Sequence, residues 1–229
     1  MPDILIIGAS RGIGLGLAQE FANRGWNVTA TVRDAAKAEA LKALGERAGV
    51  RVTLEVVDIA DPASSKALEG RLEGRTFDAL VINAGVGGPQ THPGAVEHQA
   101  FADLFVTNAL APVRLAEFLV KRVTPERGVI GFMTSQLGSV ANNTGGGMEL
   151  YRASKAALNS FTRSFAARHR DKGLSILSLH PGWVRTDMGG PGADIDVATS
   201  AKGLADRVEQ ALDAHQEAYL DYTGAVLPW

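Results

Sequence analysis

The 229-residue sequence has no cysteine, few aromatic residues, almost no net charge and no long apolar run. The absence of cysteine excludes disulfide bonds, thiolate catalysis and cysteine-ligated metal sites. A formal net charge of -2, with Lys and Arg scattered along the chain, provides no basic surface of the kind that binds nucleic acid. No apolar stretch approaches the length of a membrane span. We therefore expect neither nucleic acid nor a membrane as a partner.

Three further expectations concern metal, location and domain number. The five histidines lie at no spacing typical of metal ligands, so we expect no metal site. An apolar strand predicted at residues 3–7 leaves no room for a secretory signal, which favours a cytoplasmic location. No linker rich in Pro or Ser divides the chain, so we expect a single domain over residues 1–229.

Short segments rich in Val, Ile and Leu alternate along the chain with longer segments of helical periodicity. This alternation predicts repeated βα units around a parallel sheet, with helices on both faces because such crossovers are right-handed. We expect an α/β Rossmann fold with a doubly wound, seven-stranded parallel sheet. The predicted strands are 3–7, 27–32, 51–57, 78–82, 128–134, 174–180 and 219–221, and the predicted helices are 12–24, 34–48, 62–72, 97–123, 150–171 and 198–215.

The first predicted strand runs directly into a glycine-rich segment. Gly8, Gly12 and Gly14 give the spacing G-x-x-x-G-x-G, which differs from the common dinucleotide-binding pattern G-x-G-x-x-G. Glycines at this junction let the backbone approach a diphosphate, while the following helix offers free N–H groups and the positive end of its dipole. We interpret the segment as a nucleotide-binding loop. The alternative is a turn that needs glycine only to pack the helix on the strand.

The residues after the second predicted strand indicate which nucleotide binds. NAD-preferring enzymes place an acidic residue there for the ribose 2′-hydroxyl, whereas this chain has Val32 followed by Arg33. Arg33 can hold a 2′-phosphate, and Arg11 in the glycine loop can add a second positive charge. The pattern favours NADP(H) over NAD(H). The alternatives are that both arginines are ordinary solvated side chains, or that Asp34 draws Arg33 into a salt bridge.

Tyr151 and Lys155 lie four residues apart in a predicted helix and therefore share one face. Ser135 follows the predicted strand 128–134, at the sheet edge where ligands bind. A tyrosine with a pKa of about 10 is a poor acid at neutral pH. A neighbouring ammonium and an oxidised nicotinamide would together lower that pKa. The tyrosine–lysine spacing occurs often by chance, so its meaning depends on the serine and the glycine loop.

Together these residues resemble the short-chain dehydrogenase/reductase family. The resemblance extends over nearly the whole chain and favours the compact branch that includes C-factor signalling proteins and sniffer-type carbonyl reductases. It implies hydride transfer between NADP(H) and a carbonyl or secondary alcohol. The positions that carry it are the glycine loop, Asp58, Asn83 with Ala84 and Gly85, Asn108, Ser135, Tyr151, Lys155, and Pro181 with Gly182.

The resemblance also implies a role for each catalytic residue. Ser135 would bind the substrate oxygen, and Tyr151 would donate or accept its proton. Lys155 would bind the nicotinamide ribose and lower the tyrosine pKa, and Asn108 would hold a water that links Lys155 to solvent. The residues expected to bind the cofactor are Gly8, Ser10, Arg11, Gly12, Ile13, Gly14, Arg33, Asp58, Ile59, Asn83, Ala84, Gly85, Tyr151, Lys155, Pro181, Gly182, Val184 and Thr186.

Pro112 suggests how Asn108 could hold a water. It stands four residues after Asn108 in a predicted helix and has no N–H, so the main-chain carbonyl of Asn108 loses its usual partner. We hypothesise that this carbonyl binds the relay water at a kink. The alternative is a kink that only fits the helix to the sheet.

Two departures from the family pattern concern the glycine loop and the pocket. Ile7 stands where the family usually has threonine, so a local hydrogen bond is lost. Tyr151 follows Ser135 by 16 positions, more than is usual, and residues 142–147 are predicted to form a flexible loop. That loop either borders the substrate pocket or lies on the surface without contacting it. The expected pocket residues are Gln136, Leu137, Met148 and Trp183.

Three functions compete on these observations. The first is an NADP(H)-dependent carbonyl reductase or alcohol dehydrogenase acting on a small molecule. The second is a dinucleotide-binding signalling or sensor protein of C-factor type with little turnover, which would not need an acid–base relay. The third, an epimerase or dehydratase, would need a longer segment after residue 186. We also expect a homodimer or homotetramer, because small residues on the Tyr151 helix permit close packing between subunits.

Overall fold

The structure, a computed structural model that describes residues 1–47 and 49–229, contains the expected seven-stranded sheet. All strand pairs are parallel, and the strands lie in the order β3-β2-β1-β4-β5-β6-β7. The order reverses between β1 and β4, which is where doubly wound sheets bind ligands. The strands are β1 (Asp3–Ile7), β2 (Asn27–Val32), β3 (Arg51–Val56), β4 (Ala79–Ile82), β5 (Val129–Met133), β6 (Ser175–His180) and β7 (Glu217–Asp221).

The helices cover both faces of the sheet. They are α1 (Gly12–Asn23), α2 (Glu39–Gly45), α3 (Pro62–Arg71), α4 (His98–Phe105), α5 (Ala111–Leu119), α6 (Glu149–Arg168) and α7 (Val197–Ala211). The helix predicted at 34–48 is instead a 3-10 turn, Ala35–Lys37, followed by α2, and its last predicted residue lies outside the described residues. Asp34 starts the turn by accepting the N–H of Ala36 at 3.0 Å. In the described residues, no helix is long and apolar enough to cross a membrane.

The single helix predicted at 97–123 is interrupted. Between α4 and α5, Val106–Leu110 is wound as a π-helix, and the N–H of Ala111 donates to the carbonyl of Val106, five residues earlier. Pro112 follows in the first turn of α5. A proline removes one hydrogen bond from a helix, and the turn before it can rewind with bonds between residues five apart. Such π turns are common at functional sites.

The central strands β1, β4, β5 and β6 contribute to two cores because their side chains alternate between the faces of the sheet. Ile4 and Ile6 of β1 belong to the core that contains the apolar faces of α1 and α7. Leu5 and Ile7 belong to the opposite core, with α3, α5 and α6. All four side chains are at most 1% exposed. This burial on both faces holds the carboxyl ends of β1, β4 and β5 in fixed positions at the ligand-binding edge.

Candidate active site

The glycine loop joins β1 to α1 in a space that admits no side chain. A Cβ added to Gly14 would lie 2.1 Å from the carbonyl oxygen of Gly8, and one added to Gly8 would lie 2.9 Å from the Cβ of Ala84. Gly8 and Gly12 also have positive φ, +86° and +55°, which favours glycine. Helix α1 begins at Gly12 without a side-chain cap and without an acidic residue in its first turn. The loop and the free helix N-terminus therefore suit a diphosphate.

Two side chains from neighbouring strands hold the loop. The Nδ2 group of Asn83, after β4, donates to the carbonyl of Gly8 at 2.8 Å. The N–H of Gly8 donates to the hydroxyl of Thr31 in β2 at 3.0 Å. The family's usual threonine is replaced by Ile7, and Thr31 supplies a hydroxyl to the same loop from the adjacent strand.

The end of β2 presents Arg33 as expected. Val32 is buried and Arg33 is exposed, and the described residues contain no ion pair between Arg33 and Asp34 because the Asp34 carboxylate caps the next turn. Arg11 instead forms an exposed ion pair with Asp187, in the segment after β6. This pair connects the glycine loop to the segment that follows β6.

The remaining expected cofactor residues lie along the same edge of the sheet. Asp58, after β3, accepts the N–H of Ala60 at 2.9 Å, and the next residue, Ile59, is 5% exposed. After β6, Gly182 has a φ of +85°, and Thr186 accepts the N–H of Gly189 at 3.1 Å. Thr186 faces the glycine loop, since a Cβ on Gly12 would lie 3.4 Å from its methyl group. Their part in cofactor binding stays a prediction.

Ser135 lies two residues after the end of β5 and is 8% exposed. Its hydroxyl oxygen accepts the N–H of Leu137 at 3.2 Å, in the 3-10 turn Gln136–Gly138. This bond uses one of the two acceptor positions of the hydroxyl and leaves its proton available to donate toward Tyr151 or a bound substrate.

Tyr151 lies in the first turn of α6 and lines a cleft at the surface of the protein. Burial raises its pKa to about 12, and the hydrogen bond with Ser135 opposes that rise. The chain alone therefore does not lower this pKa, contrary to the expectation from the Tyr151–Lys155 pair. That expectation also included the positive charge of an oxidised nicotinamide, which the protein itself does not supply.

Lys155 is buried one turn further along α6. Its ammonium donates to the carbonyl of Met133 at 3.0 Å and lies 5.8 Å from the centre of the Tyr151 ring. Burial lowers its pKa to about 8. A Cβ on Gly85 would lie 3.4 Å from the Lys155 nitrogen, so this glycine keeps the space beside the ammonium open.

The Asn108 side chain is fully engaged with protein groups. Its amide oxygen accepts the N–H of Val86 at 2.8 Å, and its Nδ2 group donates to the Val86 carbonyl at 2.8 Å and to the Ser154 hydroxyl at 3.1 Å. These bonds fix the loop after β4 against α6. The side chain is therefore not the group that would hold a relay water, and the main-chain carbonyl remains the candidate, on the π turn before Pro112.

The cleft beside Tyr151 has a volume of about 370 Å³. Of the four predicted pocket residues, only Met148 lines it. Leu137 lines a second cleft of about 170 Å³, Gln136 is exposed, and Trp183 is 51% exposed with its indole N–H donating to Gly189. The residues that line the larger cleft are Gly87, Pro89, Gln90, Thr91, His92, Met148, Glu149 and Tyr151.

Sequence reasoning missed the 87–92 segment of that lining. The sequence did indicate that this segment could border a ligand, because it follows β4 at the ligand-binding edge and is rich in glycine and proline. The 142–147 loop is exposed; Asn143 lines the second cleft, and no residue of this loop lines the larger one. Its end is conformationally unusual, since Gly146, Gly147 and Met148 all have positive φ (65°, 72° and 51°).

The chain is similar to known proteins over most or all of its length. Residues 3–194 match the family described as short chain dehydrogenase. The crystal structure of a carbonyl reductase from Pseudomonas aeruginosa PAO1 in complex with NADP is 44% identical, with a TM-score of 0.92 and 100% of both chains covered. The carbonyl reductase Sniffer of D. melanogaster is 30% identical, with a TM-score of 0.91 and 100% of both chains covered.

A signalling protein is also among the relatives. The C-signal of Myxococcus xanthus is 38% identical over 155 residues, which cover 66% of this chain and 92% of C-signal. The family match, these relatives and the parallel seven-stranded sheet confirm the resemblance that the glycine loop, Ser135, Tyr151 and Lys155 indicated. The chain belongs to the short-chain dehydrogenase family of oxidoreductases.

Proposed function

We propose that the protein transfers a hydride between NADP(H) and a carbonyl or secondary alcohol, with Tyr151 as the acid–base. One observation carries the proposal: Ser135 and Lys155 lie next to Tyr151, which lines a cleft of about 370 Å³ at the ligand-binding edge of the sheet. Reduction of a carbonyl needs a proton donor for the substrate oxygen, which one hydroxyl can supply, while a second hydroxyl and a nearby ammonium stabilise the charge that develops there.

The glycine loop fits a dinucleotide. It is closed to side chains at Gly8 and Gly14, and the uncapped N-terminus of α1 offers N–H groups to a diphosphate. A bound nicotinamide dinucleotide supplies the hydride donor or acceptor, and the protein supplies position and protons. Arg33, exposed after β2, is available for a 2′-phosphate, and the similar carbonyl reductase from Pseudomonas aeruginosa is crystallised with NADP.

The proton chemistry follows from burial. With a pKa of about 12, Tyr151 is protonated at neutral pH and can donate its proton to a substrate oxygen. The Ser135 hydroxyl donates a second hydrogen bond to the same oxygen, and Lys155 places positive charge beside the tyrosine. Reduction therefore proceeds at neutral and lower pH, whereas oxidation needs the phenolate and becomes faster as the pH rises.

The test is a spectrophotometric screen of NADPH oxidation with ketones, aldehydes and quinones, run beside a titration of NADPH binding. We expect turnover with at least one carbonyl class. Binding of NADPH without turnover across the panel would contradict the proposal.

The second candidate is a nucleotide-binding signalling protein with little turnover, which the similarity to C-signal favours. The structure retains Ser135, Tyr151 and Lys155 together, and a binding protein has no need of this arrangement. NADPH binding without turnover is the outcome that would favour this candidate.

A further inference from the structure

Tyr219 connects the edge strand β7 to the catalytic serine. Its ring is 1% exposed, and its hydroxyl donates to the main-chain carbonyl of Ser135, 84 residues earlier in the chain. On β6, between the two, its register partner is the small residue Ser178. The tyrosine therefore extends past β6 to the segment that follows β5.

The chain after β7 keeps Tyr219 in this position. It folds back so that the N–H of Leu227 donates to the Tyr219 carbonyl at 2.8 Å. The Trp229 ring then packs on the Tyr219 ring, with centroids 5.1 Å apart. The Trp229 carbonyl accepts the N–H of Ala141 at 3.1 Å, so the returning chain also contacts the loop beyond Ser135.

The carbonyl of Ser135 accepts two hydrogen bonds. The N–H of Gly138 donates to it at 2.8 Å and closes the 3-10 turn, and the Tyr219 hydroxyl donates to it from β7. Just before Ser135, the carbonyl of Met133 accepts from Lys155, and the hydroxyl of Thr134 donates to Asn159 at 2.7 Å. Side chains on α6 thus hold residues 133 and 134, whereas the side chain that holds Ser135 comes from β7.

The Tyr219 hydroxyl has no competing role that would remove its proton. Burial raises its pKa to about 12, with the neighbouring Asn159 opposing the rise and Tyr151 adding to it. The hydroxyl therefore stays a donor across the range in which the enzyme would work. Without it, the buried Ser135 carbonyl would lose a partner, and the peptide that carries the serine hydroxyl could rotate.

We infer that Tyr219 is a positioning residue: by holding the Ser135 carbonyl, it directs the Ser135 hydroxyl toward Tyr151 and the cleft. This inference rests on the proposed function for its catalytic consequence, but not for the positioning itself. A small rotation of the serine would lower turnover without altering the nucleotide loop, because that loop joins β1 to α1 and β1 does not neighbour β7 in the sheet.

The experiment compares Tyr219→Phe with Ser175→Ala. Tyr219→Phe removes only the hydroxyl. Ser175→Ala removes another buried hydroxyl that donates to a main-chain carbonyl, that of Ala211 at 2.7 Å, at the opposite end of the sheet. Ser175→Ala also removes the acceptor for the N–H of Gln216 at 3.1 Å, so it loses at least as much buried hydrogen bonding as Tyr219→Phe. A general loss of stability therefore affects both variants, and only Tyr219→Phe touches Ser135.

We expect Tyr219→Phe to lower kcat about tenfold, with KM and the NADPH dissociation constant changing less than about twofold, while Ser175→Ala keeps its kcat. Amide hydrogen exchange of residues 134–141 should become faster by about tenfold in Tyr219→Phe alone. Equal kcat in the two variants, or unchanged exchange in this segment, would overturn the inference.

Adding the Tyr151→Phe variant to the experiment separates this inference from the proposed function. If the wild type oxidises NADPH no faster than Tyr151→Phe, the proposed function fails. The hydrogen exchange still decides whether Tyr219 positions Ser135, because it needs no turnover.

Discussion

The two halves of the site are built by different means. The nucleotide half, around β1 and α1, is shaped by backbone, because glycines at 8 and 14 leave no room for side chains. The chemical half, around β5 and α6, is shaped by buried polar side chains, with Lys155 at 4% and Ser135 at 8% exposure. The glycines that shape the loop are visible in the local sequence, although Thr31 and Asn83 also hold it, whereas the buried polar groups are brought together only by the fold. Four substitutions test this contrast. Two change the kind of group that is typical of each half, and two change a side chain in the nucleotide half and a backbone feature in the chemical half.

The largest effect is expected in the backbone-shaped half. Gly14→Ala would place a Cβ 2.1 Å from the Gly8 carbonyl, so the loop must move. We expect a loss of nucleotide affinity of roughly 100-fold or more, since the diphosphate cradle is displaced, and a destabilisation of about 1–3 kcal/mol. Calorimetric titration with NADPH and thermal unfolding measure both.

Gly70→Ala is the control. Gly70 also lies within a helix, α3, but a Cβ there meets nothing within 4 Å. This variant should gain up to about 1 kcal/mol of stability and keep its nucleotide affinity. Equal nucleotide affinity in the two glycine variants would show that the loop is not shaped by this contact.

The next effect concerns the chemical half. Burial lowers the pKa of Lys155 from 10.5 to about 8, so between these values the unfolded chain holds more protons than the folded one. The free energy of unfolding therefore rises with pH through this window. Lys155→Met removes the cost of burying the ammonium and should stabilise the protein by roughly 1–3 kcal/mol below pH 8 while abolishing turnover.

The stability gain of Lys155→Met should shrink as the pH rises from 8 toward 10.5, because the wild-type lysine becomes neutral there. Chemical denaturation at pH 7 and at pH 10 measures the difference. A gain that is the same at both pH values would mean that burial does not perturb this lysine.

In the nucleotide half, which is otherwise shaped by backbone, Arg33 is expected to act through its side chain. Arg33→Ala should weaken NADPH binding about tenfold and leave NADH binding unchanged, because only NADPH carries the 2′-phosphate. Lys37→Ala removes another cation, in the next turn, and should change neither affinity. Equal wild-type affinity for NADPH and NADH would refute the preference for NADP(H).

In the chemical half, which is otherwise shaped by side chains, Pro112 is expected to act through the backbone. The expected effect of replacing it is the smallest of the four. Pro112→Ala restores an N–H that can occupy the Asn108 carbonyl, so we expect turnover to fall by about two- to fivefold and the pH profile to shift. Pro62→Ala, at the first position of α3, is the control for losing a proline. Unchanged turnover and pH profile in Pro112→Ala would eliminate the relay hypothesis.

The same contrast explains what could be predicted. The strands follow from local periodicity and the glycine loop from its position after the first strand, whereas the grouping of Ser135, Tyr151 and Lys155 was predicted from the resemblance to the family. A kink before Pro112 was predicted, but its form as a π turn at Val106–Leu110 was not, because a proline indicates a disturbed helix and not how the preceding turn rewinds. The contact from Tyr219 to Ser135 spans 84 residues and depends on the order of β5, β6 and β7, which no local pattern contains.

The most direct measurement compares the wild type and Tyr151→Phe for NADPH binding and NADPH-dependent carbonyl reduction in the same preparation. The phenyl ring keeps the packing of a residue whose hydroxyl is the proposed acid. We predict equal NADPH affinity and a loss of turnover of about 100-fold or more in Tyr151→Phe. Equal turnover in the two proteins would contradict the assignment of Tyr151 as the acid–base.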